Sequence, residues 1–102
     1  MLNHIVMFRR KQGVAPDGVL EAELVQRMTV LGSQIGSIRA WSVQANRSRR
    51  PVSWDYVLES SVDGEAALHA YLNHPLHVAL VADLRRYFDL AVVDYAKPMP
   101  TQ

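Results

Sequence analysis

Three residues within the stretch AYLNHPLHV, Ala70 to Val78, carry side chains suited to proton transfer: Tyr71, His74 and His77. A histidine, with a reference pKa of about 6.5, takes and returns protons near neutrality. A tyrosine hydroxyl donates a hydrogen bond to an oxygen that gains negative charge. Together they suit removal of a proton next to a carbonyl, with a donor to hold the resulting enolate. A metal would need three or more convergent ligands. Pro75 interrupts the helical spacing of His74 and His77, so no metal site is expected. Each residue also has a plainer reading. His77 on an apolar stripe can be a satisfied core histidine, and Tyr71 a core ring with its hydroxyl on a carbonyl. His74, just before Pro75, reads as a junction residue bonding local backbone, and His69 as a solvated side chain.

These residues need two consecutive helical pieces to aim them. The first has an Ala67, Leu68, Tyr71, Leu72 stripe with Asp63 as its cap. Pro75 disfavours helix through His74 but fits the first turn of a new helix. That helix puts His77, Val81, Leu84 and Phe88 on one side. Upstream, Leu2 to Arg9 reads as a strand apolar on both faces, followed by a loop punctuated by Gly13 and Pro16. Pro16 and Asp17 suit the start of a helix with a stripe of Leu20, Leu24, Met28, Leu31 and Ile35, closed by Gly32 and Gly36. Strands follow over Ile38–Ala45, Val52–Ser60 and Leu90–Tyr95. The order β-α-β-β-α-β predicts an α+β, ferredoxin-like domain, a four-stranded antiparallel sheet with helices on one side. Residues 1–98 read as one domain and 99–102 as a loose tail.

Helices on one side leave the other sheet face open, and Val6, Phe8, Trp54, Tyr56, Leu58 and Val92 are expected there. Such a patch is too apolar for water. A two-fold homodimer with the sheets face to face would bury it and leave a cavity in each half, with these residues as ligand-binding walls. Asp94 shares the Val92 face. It is expected either to hold the His77 tautomer by accepting a hydrogen bond or to pair with Arg9 or Arg39 at the subunit boundary.

Lys and Arg number 11 against 10 Asp and Glu, a net charge of +1 that gives no broad attraction to nucleic acid or anionic membrane. Arg47, Arg49 and Arg50 form one basic loop cluster, read as solvated or as an anion contact. Without cysteine there is no disulfide framework, thiolate metal site or cysteine nucleophile. The order of the first residues, apolar then basic, is the reverse of a signal peptide, and no apolar run reaches membrane-spanning length, so a cytoplasmic protein is expected.

HIVMFR, YVLES, AYLNHPLHV and VVDYAKP together resemble the stress-responsive dimeric alpha-beta barrel (Dabb) family from about His4 to Pro98. The resemblance implies a homodimer whose two sheets form a barrel. One member type, plant olivetolic acid cyclase, closes a linear polyketide by an aldol condensation that retains the carboxylate. Similarity to it implies an acid-base role for His77, a pocket tyrosine at Tyr71, and site positions at His4 and Asp94. Where the cyclase has a third-strand histidine this chain has Tyr56, a departure from the cyclase pattern. The expected function is a cofactor-free acid-base catalyst acting on a small apolar or aromatic carbonyl compound. The alternatives are a small-ligand-binding module, a structural dimer with a filled barrel, and a cofactor-free monooxygenase.

Overall fold

The first strand, β1 (Leu2–Arg10), is apolar on both faces and takes the centre of the sheet, paired on both sides. The computed structural model describes residues 1–16 and 18–98. Asp17, expected at a helix start, and the tail 99–102 lie outside the described residues. After β1 come α1 (Gly18–Gln34), β2 (Ile38–Ala45), β3 (Tyr56–Val62), α2 (Glu65–Leu72), α3 (Pro75–Leu84) and β4 (Phe88–Ala96). The strand order is β2-β3-β1-β4 with every pairing antiparallel, the expected ferredoxin-like arrangement.

Several boundaries differ from the sequence reading. β3 starts at Tyr56 rather than Val52 and runs on to Val62, so Trp54 precedes it. Phe88 opens β4 instead of closing α3. Asp63 does not cap α2. Gly64 holds that position without a side-chain bond, and Asp63 pairs with Arg39 on β2 at 2.9 Å.

Helix α1 also runs through Gly32 instead of stopping there. A Cβ at Gly32 would lie 2.2 Å from Trp41 Cγ, so the bare backbone is what admits the indole against the helix. There Trp41 Nε1 donates to the Met28 carbonyl at 2.9 Å. Close approach, not helix termination, explains this glycine. Gly32→Ala is expected to cost about 1–3 kcal/mol by overpacking, read as a lower urea midpoint. An unchanged midpoint would mean that the indole has room to move.

The core forms where α1 lays Leu24, Met28 and Leu31 on the sheet, joined by Leu68 and Tyr71 of α2 and Leu80 and Leu84 of α3. From the sheet it takes Val6, Phe8, Leu58 and Val62. This corrects the face expected for the strand residues. Val6, Phe8 and Leu58 share one face as anticipated, but that face lies under the helices. The other face carries Ile5, Met7, Val57, Val93 and Tyr95, with Met7, Val93 and Tyr95 exposed. Alternation predicts which residues lie together. With apolar residues at both parities, it does not say which set meets the helices.

Candidate functional site

The sheet register assembles the floor of the site. His4 of β1 stands opposite Asp94 of β4, and Val6 lies between Leu58 of β3 and Val92 of β4. All point toward the helices. His4 is buried, and its Nδ1 lies 2.5 Å from Asp94 Oδ1. A carboxylate only accepts, so the proton between them is directed by His4 Nδ1.

The junction between α2 and α3 supplies the roof. Asn73 ends α2 and His74 turns extended, with φ −62° and ψ 134°. Pro75 then starts α3, where its missing N–H costs nothing. His74 serves this turn, as expected: its Nδ1 accepts from the Leu76 N–H at 3.2 Å. The bend brings His77 edge-on to Tyr71, with ring centroids 4.9 Å apart and planes at 78°. Tyr71 in turn meets His4 at 5.3 Å and 90°, and Trp41 at 5.7 Å and 68°. His4, Tyr71 and His77 are thus stacked edge to face in one row.

Beside that row is a cavity of about 80 Å³ between sheet and helices. His4, Tyr71 and His77 line it with Val6, Phe8, Leu58 and Val92. It lies inside one protomer and not between two sheets. Val92 of the edge strand β4 lines it yet is 51% exposed, so its mouth is on the β4 side. Leu80, a lining residue not singled out from the sequence, follows His77 by three positions and was findable from the α3 stripe.

The remaining expected residues go elsewhere. Asp94 bonds His4 rather than His77, and its proposed arginine partners are occupied: Arg9 faces Asp89 and Arg39 faces Asp63. Trp54 does not reach the cavity. The Arg9 guanidinium sits 4.5 Å above its ring centroid. Tyr56 does face the helices, but its hydroxyl donates to Glu21 on α1. His69 is exposed, near Glu65 at 3.9 Å. Arg49 of the basic loop pairs with Asp55 at 2.7 Å. Among the described residues no group of three or more His, Asp or Glu side chains is placed to hold a metal ion, and no helix is long and apolar enough to cross a membrane.

Protonation follows from these surroundings. His77 Nδ1 lies 2.8 Å from the Leu72 carbonyl, which can only accept, so Nδ1 carries the proton. In the neutral ring Nε2 then keeps its lone pair. Burial pushes the His77 pKa below its ordinary value, the bond to Leu72 partly opposes this, and the nearby His4 and His74 lower it further. Burial raises Tyr71 well above the usual phenol range, the Ser60 hydroxyl opposes, and the Asp94 charge adds to the rise. Tyr71 therefore stays protonated as a donor. The pair suits a neutral base beside a neutral acid.

Residues 2–97 match the family described as Stress responsive A/B Barrel Domain, Dabb. The chain belongs to this family. Over 95 residues this Dabb protein is 37% identical to an uncharacterized protein of Streptomyces coelicolor, covering 93% of this chain and 98% of that one. Among solved structures it resembles a dimeric ferredoxin-like protein of unknown function from Thermobifida fusca, 26% identical, with a TM-score of 0.81 and coverage of 94% of this chain and 90% of that one. A dimeric protein of unknown function from Bacteroides fragilis is 28% identical, with a TM-score of 0.78 and coverage of 92% and 93%. The hydroxynitrile lyase of Passiflora edulis shares the fold at 14% identity, with a TM-score of 0.79 over 97% and 96%. This Dabb chain thus has the ferredoxin-like fold that these solved structures share.

Proposed function

We propose that this Dabb protein is a homodimer in which each protomer carries a cofactor-independent acid-base site for a small carbonyl compound, in the cavity between sheet and helices. The observation that carries this is the His77 tautomer. With Nδ1–H held by the Leu72 carbonyl, Nε2 is the basic atom, on a ring that lines an apolar cavity next to the Tyr71 donor. In the reaction Nε2 takes a proton from the carbon next to a carbonyl, and the electron pair moves onto the carbonyl oxygen. Tyr71 stabilises that oxygen. The enolate carbon can then attack a second carbonyl, the aldol step of a cyclase, or recover a proton. A cavity of about 80 Å³ is far below the roughly 300–1,000 Å³ of drug-sized pockets. It takes the reacting end of a molecule, with the remainder passing Val92 into solvent.

The test is deuterium exchange next to the carbonyl of butanone in D₂O, followed by proton NMR. The reading needs protein-dependent exchange. Since the neutral form of His77 is the base and its pKa is lowered, the acid limb of the rate is expected below the ordinary value of 6.5. A limb above 6.5 would assign the base to another group. The same depression means that His77 favours the fold above pH 6.5, a contribution lost as pH falls through its lower folded pKa. The almost wholly apolar lining also supports a second reading, a binding module without turnover. Butanone binding without exchange would select it.

The dimer rests on the exposed Met7, Val93 and Tyr95 on the helix-free face and on the dimeric relatives. Val93→Glu is expected to convert a twofold mass to the 11.5 kDa protomer in sedimentation velocity. A wild-type protein that already sediments as the protomer would overturn the dimer. We keep the cytoplasm as the proposed setting, since a cysteine-free chain draws nothing from an oxidising compartment.

A further inference from the structure

We infer that the cavity between sheet and helices selects uncharged carbonyl compounds and rejects carboxylates of the same size. This rests on the proposed small-molecule site and adds its substrate class. The first support is the wall: no lysine or arginine among the described residues lines the cavity. Two basic residues of the elements that build the cavity are engaged elsewhere, Arg10 with Glu21 and Asp55, and Arg27 with Asp83 on the outer surface. The second is the partner of a wall residue: the Asp94 carboxylate, 38% exposed, bonds His4, which lines the cavity. Whether His4 in that pair is neutral or protonated, the pair carries one negative charge or none. It never offers a net positive charge.

A third support lies inside. His77 spends Nδ1–H on the Leu72 carbonyl, so the neutral ring presents an acceptor atom, which repels an oxyanion and leaves it without a hydrogen bond. Tyr71 carries the hydroxyl of the wall, shared with Ser60, and its one proton suffices for a carbonyl oxygen that gains partial charge during reaction. It is not enough for a full carboxylate stripped of water. An anion entering past Val92 would thus lose hydration and find no counter-charge. Rejection here is built from what the wall lacks and from one carboxylate bonded to the wall residue His4.

The probes are butanone and 2-oxobutanoate, which replaces one methyl by a carboxylate, with methyl 2-oxobutanoate as the uncharged control for size. Binding at pH 7.5 is read from the ¹³C methyl shifts of Leu80 at the roof and Val92 at the mouth. The ketone and the ester are expected to move both, and the carboxylate to bind at least tenfold more weakly than the ester. Val92→Arg adds a cation at a half-exposed position that tolerates a long side chain, and is expected to raise carboxylate binding at least tenfold. Carboxylate binding equal to that of the ester in wild type, no gain in Val92→Arg, or no shift with any probe would each overturn the inference. Deuterium exchange on the same samples separates the two ideas. Selective binding without exchange removes the acid-base reading alone, and exchange with unselective binding removes charge selection alone.

Discussion

His77→Ala is expected to lower butanone exchange by about 10²–10⁴-fold, the usual contribution of a placed general base, while circular dichroism and sedimentation stay as in wild type. The fold should survive because His77 is only partly buried and makes one bond, to the carbonyl of Leu72 at the end of α2. Near the helix junction that carbonyl can bond water instead. The core residues that hold the bend, Leu68, Leu80 and Leu84, are untouched. A rate unchanged by the substitution would remove His77 from the mechanism. A rate lost together with the circular dichroism signal would show that His77 is a core residue first.

The largest effect on stability is expected at Arg10, far from any residue implicated in chemistry. Its Nε and Nη2 each donate to Glu21 at 2.6 Å, its Nη1 to Asp55 at 2.9 Å, and its backbone N–H to Asp55 at 2.8 Å. One guanidinium thus ties the end of β1 to the start of α1 and to the loop before β3. The Glu21 and Asp55 side chains are only 14% and 7% exposed. Arg10→Ala would leave them with reduced compensation, and about 3 kcal/mol is expected to be lost in urea unfolding, the lower part of the range for breaking a buried pair because Arg10 itself is partly solvated.

Acid should reveal the same cluster. Arg10 hydrogen bonding holds the Glu21 carboxyl below its usual range, against the effect of burial and with help from the Tyr56 hydroxyl. Burial opposes ionisation of Asp55, but the Arg10 N–H and the Arg49 side chain outweigh it and hold its pKa low. Both groups therefore contribute stability above their unfolded values of 4.5 and 3.8, and it is lost as pH falls through their lower folded values. In Arg10→Ala this acid slope should flatten. A loss below about 0.5 kcal/mol would place the cluster among ordinary surface pairs.

Much of this was legible in the chain because its signals are local. The α1 stripe, the break at Pro75 and the turns around β2 and β3 each follow from a few neighbouring residues, and together they force the β-α-β-β-α-β order. His74 was readable as a junction residue for the same reason. The proximity of the Tyr71 and His77 rings is also legible, since the bend that joins them is written at Pro75. The partner of Asp94 was not readable. His4 and Asp94 are 90 positions apart and meet only through the β1–β4 register, and nothing local favours that partner over His77.

The side of the sheet on which the site lies is hidden in the sequence for another physical reason. β1 carries Val6 and Phe8 on one face and Ile5 and Met7 on the other, so either set could face a helix or a second subunit. The choice is made by shape. Tyr71, Met28 and Leu31 fill the space above the even-numbered set. Gly32 carries two meanings in the sequence, since a glycine inside a helical stripe can end the helix or mark a close neighbour, here Trp41. Arg10 and Glu21 were likewise invisible as a pair, one ending a strand and the other opening a helix across a loop.

The most direct measurement is ¹⁵N NMR of the His77 imidazole at pH 7.5, with and without butanone. The expected spectrum has a protonated Nδ1 and an unprotonated Nε2, with the Nε2 resonance moving on addition of the ketone. A protonated Nε2, or an Nε2 resonance indifferent to every carbonyl probe, would contradict a base poised in the cavity.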